Sequence, residues 1–83
     1  MNNKILVTVF VPFLNDRFDV FIPINKKVGT IKSILISTIN EMSNNSISSK
    51  NLKLYEKGKS NLLDNNIYVN ACGLRNGSEL ILL

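Results

Sequence analysis

Histidine is absent from the 83 residues and cysteine occurs once. The first absence removes the commonest general base and the commonest metal ligand. The second leaves Cys72 with no disulfide partner and no imidazole to activate it. A lone thiol suits a reducing compartment, so a cytoplasmic location is expected. Cys72, beside Gly73 and near Arg75, reads as a small buried apolar residue rather than a reactive nucleophile. Acids are also few: the six Asp and Glu side chains are spread singly. Only Asp16 and Asp19 are close in sequence, and they flank a turn, where solvated carboxylates are ordinary. No glycine-rich loop precedes a helix pattern, so a phosphate cradle is not indicated. No catalytic, cofactor-binding or metal site is expected, and the chain reads as a non-enzyme.

Long hydrophobic runs are missing as well. Every apolar stretch is broken by Asn, Asp, Lys or Pro well before the roughly 18 residues a membrane span needs. Met1-Asn2-Asn3-Lys4 leads directly into a strand pattern, without the apolar region of a signal peptide. What is present, 45% apolar and 19% charged residues, suits one compact domain over residues 1–83. The net charge of +4 raises the question of nucleic acid. The lysines, however, are scattered, and only Lys50, Lys53, Lys57 and Lys59 form a local group, interrupted by Glu56. No aromatic-rich motif for base stacking accompanies them. They read as a solvated basic face, with acidic partners or anionic lipid headgroups as further uses.

Ile5, Val7, Val9 and Val11 alternate with Leu6, Thr8 and Phe10, a period-2 strand with one strongly apolar face. Pro12 ends it and Asn15-Asp16 supplies turn chemistry. A second strand follows over Arg17–Ile22, with Phe18, Val20 and Ile22 on one face and Pro23 closing it. Two strands joined by a short turn pair naturally as an antiparallel hairpin. The period then changes: Val28, Ile31, Leu35, Ile39 and Met42 recur at steps of three and four, an apolar helical face widened by Ile34 and Ile36. Thr30 is a candidate N-cap, although Val28 already belongs to the stripe, so an earlier start is also open. Asn44-Asn45 ends the helix, and Ser46–Lys50 is a connecting loop with Ile47 at the core edge. Leu52, Leu54 and Tyr55 mark a third strand, Lys57-Gly58-Lys59 a turn, and Leu62-Leu63 a short fourth strand. Asp64–Cys72 reads as an irregular crossing with Ile67 and Val69 pointing inward. Glu79–Leu83 is the final strand, with Leu80 and Leu82 on the core face. The order β-β-α-β-β-β predicts an α+β fold: a mixed sheet of four to five strands with one helix packed on one face.

This order, over nearly the whole chain, is similar to the β-grasp fold of ubiquitin. Three stretches resemble more narrowly the small ubiquitin-like group encoded with bacterial type VII secretion systems, the YukD/EsaB group. They are Phe18-Asp19-Val20-Phe21-Ile22-Pro23 with Val28, Ile31, Leu35 and Ile39 following; Leu52-Lys53-Leu54-Tyr55-Glu56-Lys57-Gly58; and Cys72-Gly73-Leu74-Arg75-Asn76-Gly77-Ser78-Glu79-Leu80-Ile81-Leu82. In the last, family members also run through a Gly-Ile/Leu-x-Asn/Asp-Gly-Asp/Ser turn into the final strand. The resemblance implies a bacterial accessory or regulatory protein acting in the cytoplasm near the membrane-embedded secretion machine and its motor ATPase. Ubiquitin's recognition patch centres on an exposed isoleucine of the third strand, and the corresponding position here is expected to be Lys53. A Gly-Gly tail is also missing, which points away from conjugation. The rival reading, a sulfur carrier or conjugated modifier, requires a C-terminal glycine, and Leu83 argues against it unless the chain is truncated. A second rival is a basic β-grasp module that binds nucleic acid or anionic lipid.

The face of the sheet turned away from the helix is more informative. With Ile5, Val7, Val9, Phe18, Val20 and Ile22 toward the helix, Leu6, Phe10 and Phe21 point to the opposite side, and Ile81 and Leu83 do the same. Such a face is usually polar, so five large apolar residues on it predict a continuous docking patch for a protein partner or a second copy. The competing expectation is that Phe10 and Phe21 are isolated cross-strand partners, or that Phe13 and Leu14 fold over them.

Overall fold

The computed structural model describes residues 3–43, 52–59 and 62–83. Strand β1 covers Lys4–Val11, β2 Asp16–Pro23, helix α1 Val28–Ser43, β3 Leu54–Glu56 and β4 Glu79–Leu82. They form a mixed sheet in the order β2-β1-β4-β3, parallel between β1 and β4 and antiparallel elsewhere. The expected α+β architecture is therefore observed, at four strands. The loop expected over Ser46–Lys50, its plug Ile47, and the Asn44-Asn45 helix stop lie outside the described residues.

Alternation in the sequence sets the hairpin. Val7, Val9 and Val11 of β1 and Phe18, Val20 and Ile22 of β2 are all buried, and the register places Val7 opposite Val20 and Val9 opposite Phe18. The connecting turn is closed by Leu14 N–H donating to Val11 O at 3.0 Å and Asn15 N–H to Pro12 O at 3.0 Å. Asn15 takes φ 51°, a left-handed conformation that asparagine tolerates better than most residues.

Helix α1 buries Val28, Ile31, Leu35, Ile36 and Ile39 against the sheet. Its start settles the earlier ambiguity: the helix begins at Val28, and Thr30 lies inside it rather than capping it. The first amides are satisfied by distant backbone instead. Val28 N–H donates to Ile67 O at 2.8 Å and Gly29 N–H to Asn65 O at 3.0 Å. Helix N-termini need such acceptors. Glycine at position 29 allows the approach, because a Cβ there would meet Asn65 O at 3.2 Å. Met42 departs from expectation: it is 55% exposed, so the buried stripe stops at Ile39.

The C-terminal half corrects three further expectations. Leu62-Leu63 does not form a strand: Leu62 makes only an isolated bridge to Tyr55. Ile67 faces solvent while Val69 is fully buried, because the main chain at 65–67 is turned to cap the helix. Cys72 is half-buried rather than buried, its thiol donating to Val69 O at 3.2 Å. Leu80 and Leu82 complete the core, as the alternation in β4 predicts.

Candidate docking face

Strand pleating sends alternate side chains to opposite faces, and the registers place the outward ones in rows. On the face away from α1, Phe21 lies opposite Leu6. The next row runs Asp19–Thr8–Glu79, and the one after it Arg17–Phe10–Ile81–Tyr55. Leu83 follows at the end of β4, its N–H and C=O bonded to Lys53 at 2.9 and 2.8 Å.

The polar row is held together internally. Thr8 Oγ1 donates to Asp19 Oδ1 at 2.8 Å, and Lys57 Nζ lies 3.3 Å from Glu79 Oε1. The apolar row is flanked by charge: the Arg17 guanidinium stands 5.1 Å over the Phe10 ring, a cation–π arrangement. Between them opens a shallow depression of about 240 Å³ lined by Thr8, Phe10, Arg17, Lys57, Glu79 and Ile81.

The five expected patch residues are thus divided. Phe10 and Ile81 are direct neighbours with Leu83 beyond them, whereas Leu6 and Phe21 form a separate pair across the Asp19–Thr8–Glu79 row. Phe21 and Leu83 are each 59% exposed and Leu6 37%. Phe13 does not fold over them: it is 79% exposed at the turn, and Leu14 packs on the core instead. The face gains a residue that sequence reasoning did not name. Tyr55 occupies the middle of the outward row of β3 beside Ile81, so the expected charge at that centre does not hold. The strand begins at Leu54, which leaves Lys53 at the corner of the face. Counting two residues on from Lys53 is the signal that would have found Tyr55.

The basic group is partly neutralised. Lys57 faces Glu79 and Lys59 lies 3.9 Å from Glu56, while Lys53 is exposed at the corner. Lys50 lies outside the described residues. The Lys57–Glu79 pair is exposed on both sides and adds little stability, and both pairs locally cancel the positive field. Among the described residues no three His, Cys, Asp or Glu side chains converge as metal ligands, and no helix is long and apolar enough to cross a membrane.

Solved structures share this arrangement over its full length. The ubiquitin-like domain of an Arabidopsis thaliana protein is 26% identical and superposes with a TM-score of 0.71 over 99% of this chain and 78% of its own. The fold is the ubiquitin-like β-grasp. The C-terminal ubiquitin-like domain of human 2'-5'-oligoadenylate synthetase-like protein matches at 20% identity and TM-score 0.70, covering 99% of this chain and 84% of that one. A third, 19% identical with TM-score 0.71, comes from the crystal structure of ATBAG1 in complex with HSP70 and covers 95% of this chain and 39% of that one. No protein-family model and no curated protein matches the sequence.

Proposed function

We propose that this β-grasp domain is a non-enzymatic docking module whose outer sheet face, centred on Phe10, Ile81 and Tyr55, holds a protein partner. The observation that carries the reading is the half-buried apolar row with Arg17 at one end and the Lys57–Glu79 pair beside it. An apolar centre with a charged margin is the composition of a protein interface. Rim charges of this kind adjust encounter rate more than affinity. The partner we assign is a cytoplasmic component of a bacterial type VII secretion machine. Support for that assignment is the run Cys72–Leu82, which resembles the YukD/EsaB group in its turn and final strand. The basic nucleic-acid or lipid reading is less well supported, because Lys57 and Lys59 stand beside acids.

Calorimetric titration against the soluble domains of the secretion motor from the same genome tests both parts. Wild type is expected to bind, and Phe10→Ser with Tyr55→Ser to lose binding by at least about tenfold while keeping its circular dichroism. Binding that survives the double substitution removes the face from the proposal. Wild type that ignores every secretion component removes the partner.

A further inference from the structure

The two margins of the sheet are unlike. At β3 the margin is short and occupied: Tyr55 bridges to Leu62, and Leu63 N–H donates to Leu54 O at 3.0 Å. At β2 it runs for eight residues. Ile24 N–H donates to Asn3 O at 2.7 Å, in register with the hairpin ladder. Antiparallel ladders alternate bonded and non-bonded pairs. Ile22, Val20 and Phe18 therefore bond to β1, and the main chain at Arg17, Asp19 and Phe21 is directed outward. No main-chain group of another described segment bonds to these three, and the Arg17 N–H is taken by the carboxylate of Asp16 at 2.8 Å.

We propose that this margin pairs antiparallel with β2 of a second copy, in the register that sets Arg17 of each protomer opposite Asp19 of the other. Two-fold pairing through the outward groups can set these odd-numbered residues opposite one another in only a few ways. Arg17 opposite Arg17, or Asp19 opposite Asp19, juxtaposes like charges. Pairing Asp19 with Phe21 brings Arg17 against Pro23, which has no N–H to give. Pairing Phe21 with itself leaves both charges without opposites. Arg17 with Asp19 places opposite charges across the junction twice by symmetry, and opposite-charge cross-strand pairs are favourable.

Both side chains are available for it. Asp19 gives one carboxylate oxygen to Thr8, leaving the other free, and Arg17 rests on Phe10. Neither has an ion-pair partner among the described residues. The Asp19 N–H of each copy donates to the Arg17 carbonyl of its partner, while the Arg17 N–H stays with Asp16. The opposite margin offers no such unpaired complement: Lys57 already faces Glu79, Lys59 lies beside Glu56, and the 62–63 segment occupies the edge. The outer faces of both copies remain open in the pair, and because Arg17 borders the outer face as well, it is Asp19→Arg and Phe10→Ser that separate this dimer from the docking proposal.

Sedimentation velocity across a concentration series tests the inference. Wild type is expected to dimerise reversibly. Asp19→Arg and Arg17→Asp, each alone, place like charges across the junction and weaken association by at least about tenfold. An equimolar mixture of the two variants restores both opposite-charge contacts and is expected to form a heterodimer. Should Asp19→Arg disturb the fold through loss of the Thr8 bond, Asp19→Asn retains an oxygen for Thr8 and weakens dimerisation by charge loss alone. Wild type that is monomeric at about 1 mM overturns the proposal, as does a mixture no heavier than its components. Dimers lost on Phe10→Ser but untouched by Asp19→Arg overturn it too, since they would use the outer face instead.

Discussion

Two strands bound the same sheet, and the chain treats them differently. β2 is held to β1 by a ladder running from Lys4 opposite Pro23 to Val11 opposite Asp16, and no other described segment bonds to its outer side. β3 pairs with β4 over only Leu54–Glu56, yet the returning chain at 62–63 covers it. Local sequence explains both. A hairpin with a tight turn gives β2 its pairing early and in one register, whereas β3 pairs with a strand some twenty-five residues away along the chain. Long-range pairing costs more chain entropy, and a short edge covered by a returning segment is the safer solution there. The β2 margin is the one whose charges complement themselves.

The largest expected effects come from removing the side chain that anchors each margin. Phe18→Ala takes a 7% exposed ring from β2 and is expected to cost about 3–5 kcal/mol. Leu54→Ala takes a 2% exposed side chain from β3 and is expected to cost about 2–5 kcal/mol. Urea unfolding measures both. Hydrogen exchange then separates them: in the Leu54→Ala variant the Lys53 and Leu83 amides should exchange much faster, with the Val7 and Val9 amides still limited by global unfolding. Equal acceleration of both sets would show that the margins open together, and the contrast drawn between them would be lost.

A smaller effect is expected at the crossing that ties the β3 side to the helix. Gly29→Ala gains about 1 kcal/mol of helix propensity, but its Cβ would meet Asn65 O at 3.2 Å and Asn65 Cβ at 3.3 Å. The carbonyl is main chain and already engaged by the Gly29 amide, so it cannot move without loosening that bond. The two terms oppose, leaving a net change within about 1 kcal/mol. Faster exchange of the Gly29 amide is the sharper readout. Protection unchanged at that amide would show that the 65–67 cap tolerates the displacement.

These contrasts were legible in the sequence to different degrees. Alternation at Val7, Val9, Phe18 and Val20 announces the hairpin, and the spacing of Val28, Ile31, Leu35 and Ile39 announces the helix, because each period reports one local geometry. Ile67 defeats the same reasoning: it is apolar, yet its main chain is committed to the helix start and its side chain is left outside. The docking face was half legible. Parity alone puts Leu6, Phe10, Phe21, Ile81 and Leu83 on one side. Which of them touch depends on the offset between strands distant in sequence, and no local period encodes that offset. Thr8, Asp19 and Glu79 fall between the two apolar groups only once β1 is aligned with both β2 and β4.

The smallest expected effect lies on the β3 margin itself. Lys57 and Glu79 pair at 3.3 Å with both side chains more than half exposed, at 59% and 51%. In such a setting the attraction is screened by water and offset by side-chain ordering, so Lys57→Ala should change stability by less than about 1 kcal/mol. Raising the salt should shrink even that difference, because exposed pairs are screened over a Debye length of about 8 Å at 0.15 M. The same variant sharpens the comparison of margins. Losing one lysine leaves the 62–63 segment bonded to Leu54 and Tyr55. Sedimentation of Lys57→Ala should therefore match wild type. A new associated species in that variant would mean that charge alone, rather than the covering chain, keeps β3 from pairing.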